Sequence, residues 1–124
     1  MASVFTKIIA GEIPCYKIYE DEKTFVFLDI NPEVRGHVLV VPKVEVDKIY
    51  ELADEEYVAV FETVRKVCRR IEEVYGARAI FKVIGVDVPH AHVHVMPWDE
   101  KYVEGKTLEL SEQEFNEICA KLAF

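Results

Sequence analysis

Cysteine is sparse in this chain: Cys15, Cys68 and Cys119 are an odd number, widely spaced and without a CxxC pair. Such a set excludes a disulfide framework and a cysteine zinc knuckle, and it suits a reducing cytoplasm. Positive charge is also short, with fifteen Lys and Arg against twenty-three Asp and Glu and a formal net charge of −8. That balance argues against a nucleic-acid backbone or an anionic membrane as the main partner, and leaves room for a small anion held locally. No apolar run is long enough to span a bilayer. The opening MASVFTKIIAGEIP, broken by Lys7 and Glu12, is too short for a secretory signal. Repeats and low-complexity stretches are missing, so the 124 residues read as a single domain, 1–124, long enough to bury a core without staples.

The pattern of apolar residues divides that domain. FTKIIAGEI predicts a short helix stopped by Gly11, and CYKIYEDE a short strand before an acidic turn. TFVFLDINP and HVLVVP are rich in β-branched and aromatic residues and predict two strands of a hairpin, turning at Arg35-Gly36. Tyr57, Phe61, Val64, Cys68, Ile71 and Tyr75 then recur at helical spacing, with Asp54 as a possible cap and Gly76 as the stop, which predicts one long amphipathic helix. ARAIFKVIG and VPHAHVHVMP return to strand, and SEQEFNEICAKLAF predicts a closing helix with a Ser111 to Glu114 capping box. Short connections in this order favour an antiparallel α+β meander over a parallel sheet.

Four histidines occur in the chain, and three lie within PHAHVHVMP as His90, His92 and His94, alternating with Ala91, Val93 and Val95. On a strand this spacing turns the imidazoles to one face and the small apolar residues to the core. Three readings are open. Buried rings for stability alone would each need a hydrogen-bond partner. A metal site is possible for two neighbouring rings roughly 6.5 Å apart, but the third lies some 13 Å from the first by the same rise. In the third reading a neutral imidazole attacks phosphorus while its neighbours donate hydrogen bonds to phosphate oxygens or to the leaving group.

PHAHVHVMP resembles the signature of the histidine triad (HIT) family, and the likeness extends upstream through KIIAGEIPCYKIYEDE, FVFLDINP and GHVLVVPK, in order and over nearly the whole chain. The resemblance implies a HIT-like α+β fold, an antiparallel sheet of about five strands with one long central helix and a C-terminal helix. It implies a homodimer in which each subunit binds one purine nucleotide, an adenosine or guanosine phosphate derivative, and breaks a bond at its α-phosphorus. Substrates of this class are nucleoside phosphoramidates and dinucleoside polyphosphates. Carried over by position, His92 is the nucleophile that forms a nucleotidyl-imidazole, His90 and His94 hold and protonate around it, and His37 supports the phosphate site. Asp29 of FLDI grips the ribose hydroxyls, while Phe5, Ile13, Phe27, Ile30 and Leu39 wall the base. Each of these has a plainer reading, since apolar strand residues are usually core and an acidic residue at a strand end often caps the turn.

Two departures from the family pattern stand out. Many bacterial members open with a CxxC pair and later carry PKxH, which bind a structural zinc together with a triad histidine; here those positions are Ser3, Thr6 and Glu45. No metal and no cofactor are expected. Most members also place an Asn and a Gly-Gln-Ser or Gly-Gln-Thr loop before the triad to donate hydrogen bonds to phosphate, whereas this chain has IGVDVPH, with Asp87 where the hydroxyl usually lies. A carboxylate accepts hydrogen bonds only and repels a phosphate. The alternative function is therefore a nucleotide-binding regulatory protein with negligible turnover.

Overall fold

Two short, uninterrupted apolar runs set the centre of the molecule. The structure, a computed structural model, describes residues 2–124. In it TFVFL forms β2 (Thr24–Leu28) and VLVVP forms β3 (Val38–Pro42), both buried on both faces, as the absence of polar alternation demands. They pair antiparallel from Thr24↔Pro42 to Leu28↔Val38. Their connection spans residues 29–37 and is thus a loop, where the sequence suggested a tight turn. Gly36 allows this loop to return: its φ is 88°, and a Cβ there would lie 3.0 Å from both Pro97 and Tyr75 side-chain atoms.

Around this pair the chain adds α1 (Val4–Ile9), β1 (Lys17–Glu20), α2 (Asp54–Tyr75), β4 (Ala79–Lys82), β5 (Val93–Pro97) and α3 (Glu112–Leu122). The sheet is antiparallel throughout, in the order β1-β2-β3-β5-β4, so α2 carries the chain from the middle of the sheet to its far edge. The α+β class and five-stranded antiparallel sheet are those the sequence predicts.

The two faces of the sheet differ, and the difference makes the site. Val26, Leu28, Val38, Val40, Ala91, Val93 and Val95 face α2 and α3, where Val60, Val64, Val67, Ile71, Ile118 and Leu122 complete the main core. Burying each such side chain contributes about 1.5–3 kcal/mol. The buried stripe of α2 runs through Val60, Thr63, Val64, Val67 and Ile71, one step round from the stripe expected, and Tyr57 is exposed. The helix cap also differs from expectation: Ala53 is the N-cap and makes no side-chain bond, while Asp54, Glu55 and Glu56 occupy the first turn, where their charge suits the helix dipole. Gly76, at φ 64°, ends the helix and Ser111 with Glu114 forms the capping box of α3, both as the sequence indicates.

The opposite face carries a smaller cluster, Phe25, Phe27, Leu39 and Val41, covered by Phe5 of α1. Here the alternation of the histidine motif is realised. Ala91, Val93 and Val95 enter the main core, and the imidazoles of His90 and His92 meet the ring edge of Phe5 at 5.7 and 5.1 Å between centroids. The last strand is shorter than expected, beginning at Val93, so His90 lies in the bend before it, His92 just ahead of it and only His94 within it.

Candidate active site

The hydrogen bonds of the four histidines fix where each proton sits. His92 Nδ1 lies 2.7 Å from the backbone oxygen of His90, which can only accept, so Nδ1 carries the proton and donates it. In the neutral ring Nε2 is then left as a bare lone pair. It is buried, with His92 1% exposed, and no described residue donates a hydrogen bond to it. A buried acceptor without a partner is costly and needs a reason.

His94 is set by His37. The backbone N–H of Glu33 donates to His37 Nδ1 at 3.0 Å, so the neutral ring carries its proton on Nε2 and donates to His94 Nδ1 at 2.9 Å. His94 in turn keeps its proton on Nε2, its remaining nitrogen. Burial, then the neighbouring His94, holds the His37 pKa down at about 3, and burial, then His92, holds that of His94 at about 4. Both rings are therefore neutral donors near pH 7.

His90 does something else. Its Nε2–H donates to the Pro42 carbonyl at 2.8 Å and its Nδ1 accepts from the Ser3 hydroxyl at 2.7 Å, so both ring nitrogens are occupied. Burial lowers its pKa, against the Pro42 carbonyl, which raises it. His90 does not line the pocket, and it touches His92 through its backbone oxygen.

His92 and His94 open onto a pocket of about 250 Å³ between α1, the segment Ile13–Cys15 that leads into β1, and the end of β2. Phe5, Ile13, Phe27, Ile30 and Leu39 all line it. Phe5, Phe27 and Leu39 form its buried floor, whereas Ile30 is 68% exposed and stands at the rim. His37 stays behind His94 and does not reach the pocket.

Asp29 is also at the pocket, and its two oxygens divide the two roles considered for it. Oδ1 accepts from the backbone N–H of Asn31 at 2.8 Å, capping the turn; Oδ2 points inward, 3.5 Å from His37 Nε2 and 3.8 Å from His94 Nδ1. Burial raises its pKa, the Asn31 amide opposes this, and Asp87 adds to the rise. Asp87 is more exposed, and its Oδ1 lies 3.4 Å from His92 Nε2.

Asp29 Oδ2, His37 Nε2 and His94 Nδ1 form a triangle with sides of 2.9, 3.5 and 3.8 Å. The point equidistant from its corners lies about 2.0 Å from each, the length of a zinc bond to nitrogen or oxygen. A metal is nevertheless ill matched there, because the Glu33 amide on His37 Nδ1 forces the proton onto Nε2, where the ion would bind. Of its three sides only the one from His37 to His94 is a hydrogen bond.

An antiparallel α+β sheet that sets alternating histidines against a helix-walled pocket defines the histidine triad class. Residues 10–101 match the HIT domain model, and the chain belongs to the HIT family. A protein of Schizosaccharomyces pombe named adenosine 5′-monophosphoramidase is 36% identical over 99 residues, covering 78% of this chain and 74% of that one. A Hit-like protein from Bartonella henselae, crystallised with an unknown ligand, superposes with a TM-score of 0.88 at 25% identity, covering 97% and 93% of the two chains. A zinc-bound histidine triad family protein from Mycobacterium smegmatis superposes with a TM-score of 0.83 at 26% identity, covering 98% and 94%.

The residues of this chain do not fit the zinc that the family resemblance implies. Glu45 Oε1 accepts from the Ser3 backbone N–H and the Thr6 hydroxyl, each at 2.6 Å, and Ser3 Oγ donates to His90. Two neutral hydroxyls are poor zinc ligands, and the hydroxyl protons already satisfy the carboxylate and the imidazole. The cluster instead ties α1 to the triad segment. Sequence reasoning noted these positions only as lost ligands, and it missed Glu33, whose amide sets the His37 tautomer and whose buried carboxylate pairs with Lys82 at 2.7 Å. No local pattern marks that pair, since 49 residues separate its members.

Proposed function

We propose that this protein hydrolyses purine nucleotides at the α-phosphorus, in a nucleoside phosphoramidate or a dinucleoside polyphosphate, through a covalent nucleotidyl group on His92. One observation carries the reading: a buried imidazole nitrogen with a free lone pair, aimed into a pocket and unpartnered. Nucleophilic attack gives that lone pair its use. The names of the yeast relatives from Schizosaccharomyces pombe and Saccharomyces cerevisiae, both adenosine 5′-monophosphoramidases, support the substrate class.

The chemistry follows from the tautomers. The Nε2 pair of His92 attacks the α-phosphorus, the bond to the leaving nitrogen or oxygen breaks, and the leaving atom keeps the bonding pair. A leaving nitrogen takes its proton from solvent. The imidazolium so formed keeps its Nδ1–H on the His90 carbonyl, which eases its positive charge. His94 donates from Nε2 to a phosphoryl oxygen, and His37 holds it in that tautomer. The depressed pKa of both rings keeps them neutral, so His94 acts on the phosphate as an N–H donor. Water then attacks phosphorus, the P–Nε2 bond breaks, its pair returns to His92, and the water proton goes to solvent. Asp29 Oδ2 and the apolar pocket receive the ribose and base. His92→Ala should abolish hydrolysis of adenosine 5′-phosphoramidate while nucleotide binding persists. Unchanged turnover in that variant refutes the mechanism.

The alternative, a nucleotide-binding protein with negligible turnover, draws support from Asp87, whose carboxylate stands 3.4 Å from the nucleophilic nitrogen. A turnover measurement on the unmutated protein separates the two. A homodimer fits the same reading, since β4 is an edge strand whose Phe81 is 52% exposed beside exposed Val83, Ile84 and Val86. Sedimentation at working concentration tests it.

A further inference from the structure

The nucleoside pocket accounts for one side of the reacting phosphorus. A second cavity of about 300 Å³ adjoins it, sharing Asp87 and His94 with the first and none of the base wall. The chemistry has to occur at this junction, because the free nitrogen of His92, itself 1% exposed, opens to the first cavity only 3.4 Å from Asp87. In-line displacement sends the leaving group away from Nε2, so it needs a space of its own beyond the nucleoside pocket.

We propose that the second cavity receives the leaving group and that its charge selects a cationic one, an amine bearing a further ammonium and joined to the nucleotide through a P–N bond, over an anionic one such as a polyphosphate. This rests on the reading of His92 as nucleophile. Glu33, Asp87 and Glu104 contribute three carboxylates to the cavity, and Lys82 is its one ammonium. Lys82 is not free to receive an anion. Its Nζ lies 2.7 Å from Glu33 and 3.5 Å from Glu104, and it donates to the Tyr102 hydroxyl at 2.9 Å. The second oxygen of Glu33 accepts from the Gly105 amide, so the pair is fixed from both ends. An excess of negative charge remains, with Asp87 against the position of the phosphoryl group. A polyphosphate would add charge of the same sign there, whereas an ammonium offsets it.

Three adenosine 5′-phosphoramidates of equal length, ending in an ammonium, a methyl group and a carboxylate, test the proposal. The cationic substrate should exceed the anionic one in kcat/KM by roughly tenfold or more at low ionic strength, with the ratio shrinking as salt is added. Asp87→Asn and Glu104→Gln, both at exposed carboxylates, should each reduce that ratio. Equal rates for the three substrates, a faster anionic substrate, or a ratio untouched by both substitutions overturns the leaving-group assignment and leaves the hydrolase reading standing. No turnover of any of the three overturns the hydrolase reading and this proposal with it.

Discussion

Lowering the pH from 7.5 to 5 should destabilise this fold through histidines that it keeps neutral. His37 is 2% exposed and accepts the Glu33 amide on Nδ1, so a second proton would both bury a charge and break that bond. Its pKa is held at about 3 and that of His94 at about 4, against 6.5 for a free side chain. The unfolded chain therefore binds more protons than the folded one between these values, and stability rises with pH across the window. The contribution is present in full above 6.5 and is lost as the pH falls towards 4 and then 3. At pH 5 each histidine costs about 2 kcal/mol and the two together about 4 kcal/mol, a large part of the 5–15 kcal/mol typical of a domain. His90, also lowered, acts in the same direction, while Asp29, raised, acts in the opposite one, since the folded state takes up its proton first. Urea denaturation at the two pH values measures the loss, and His37→Gln should remove about half of the slope. Equal stability at both values, or an unaltered slope in His37→Gln, refutes the tautomer assignment.

Ser3→Ala removes the nearer hydroxyl from buried His90 Nδ1, leaving Thr6 Oγ1 at 3.4 Å, and also removes the N-cap of α1; it should cost about 1–3 kcal/mol by thermal denaturation, more than Glu45→Gln, whose amide oxygen still accepts both bonds. Equal melting temperatures for Ser3→Ala and the unmutated protein would contradict the clamp. Asp29 has one oxygen on the turn and one facing the pocket, so Asp29→Ala should lower stability and also erase a ribose preference over deoxyribose of about ten- to a hundredfold, read by titrating adenosine and deoxyadenosine monophosphates. Loss of stability with the sugar preference intact would leave Asp29 only its cap. Asp87→Ser removes a charge beside the phosphate position and should tighten nucleoside monophosphate binding; weaker binding would mean the carboxylate serves the substrate.

Much of this architecture was legible in the chain because it is written at short range. Period-2 alternation placed Ala91, Val93 and Val95 in the core and the imidazoles opposite, and Gly76 and Ser111 marked helix ends by backbone chemistry alone. The pocket-facing set of Phe5, Ile13, Phe27, Ile30 and Leu39 came from family resemblance, and the fold brings all five to one cavity. What the sequence left hidden depends on contacts between distant segments. The Ser3 hydroxyl reaches His90 across 87 positions, and His37 reaches His94 across 57. The partners of His90 were hidden for the same reason: spacing puts it on the face of its neighbours, and only packing shows that Pro42 and Ser3 take its nitrogens. Likewise the stripe of α2 was misjudged by one step because Tyr57 and Phe61 are apolar enough to suggest burial, yet Tyr57 is exposed and Phe61 only partly buried, against Phe81 of the edge strand.

The central claim is that phosphorus passes through a bond to His92, and the stereochemistry of the reaction tests it most directly. With an adenosine 5′-phosphorothioamidate of one configuration, hydrolysed in isotopically labelled water, two successive in-line displacements should give net retention at phosphorus. Inversion would mean that water attacks the substrate itself in one step, and would contradict a nucleotidyl-His92 intermediate.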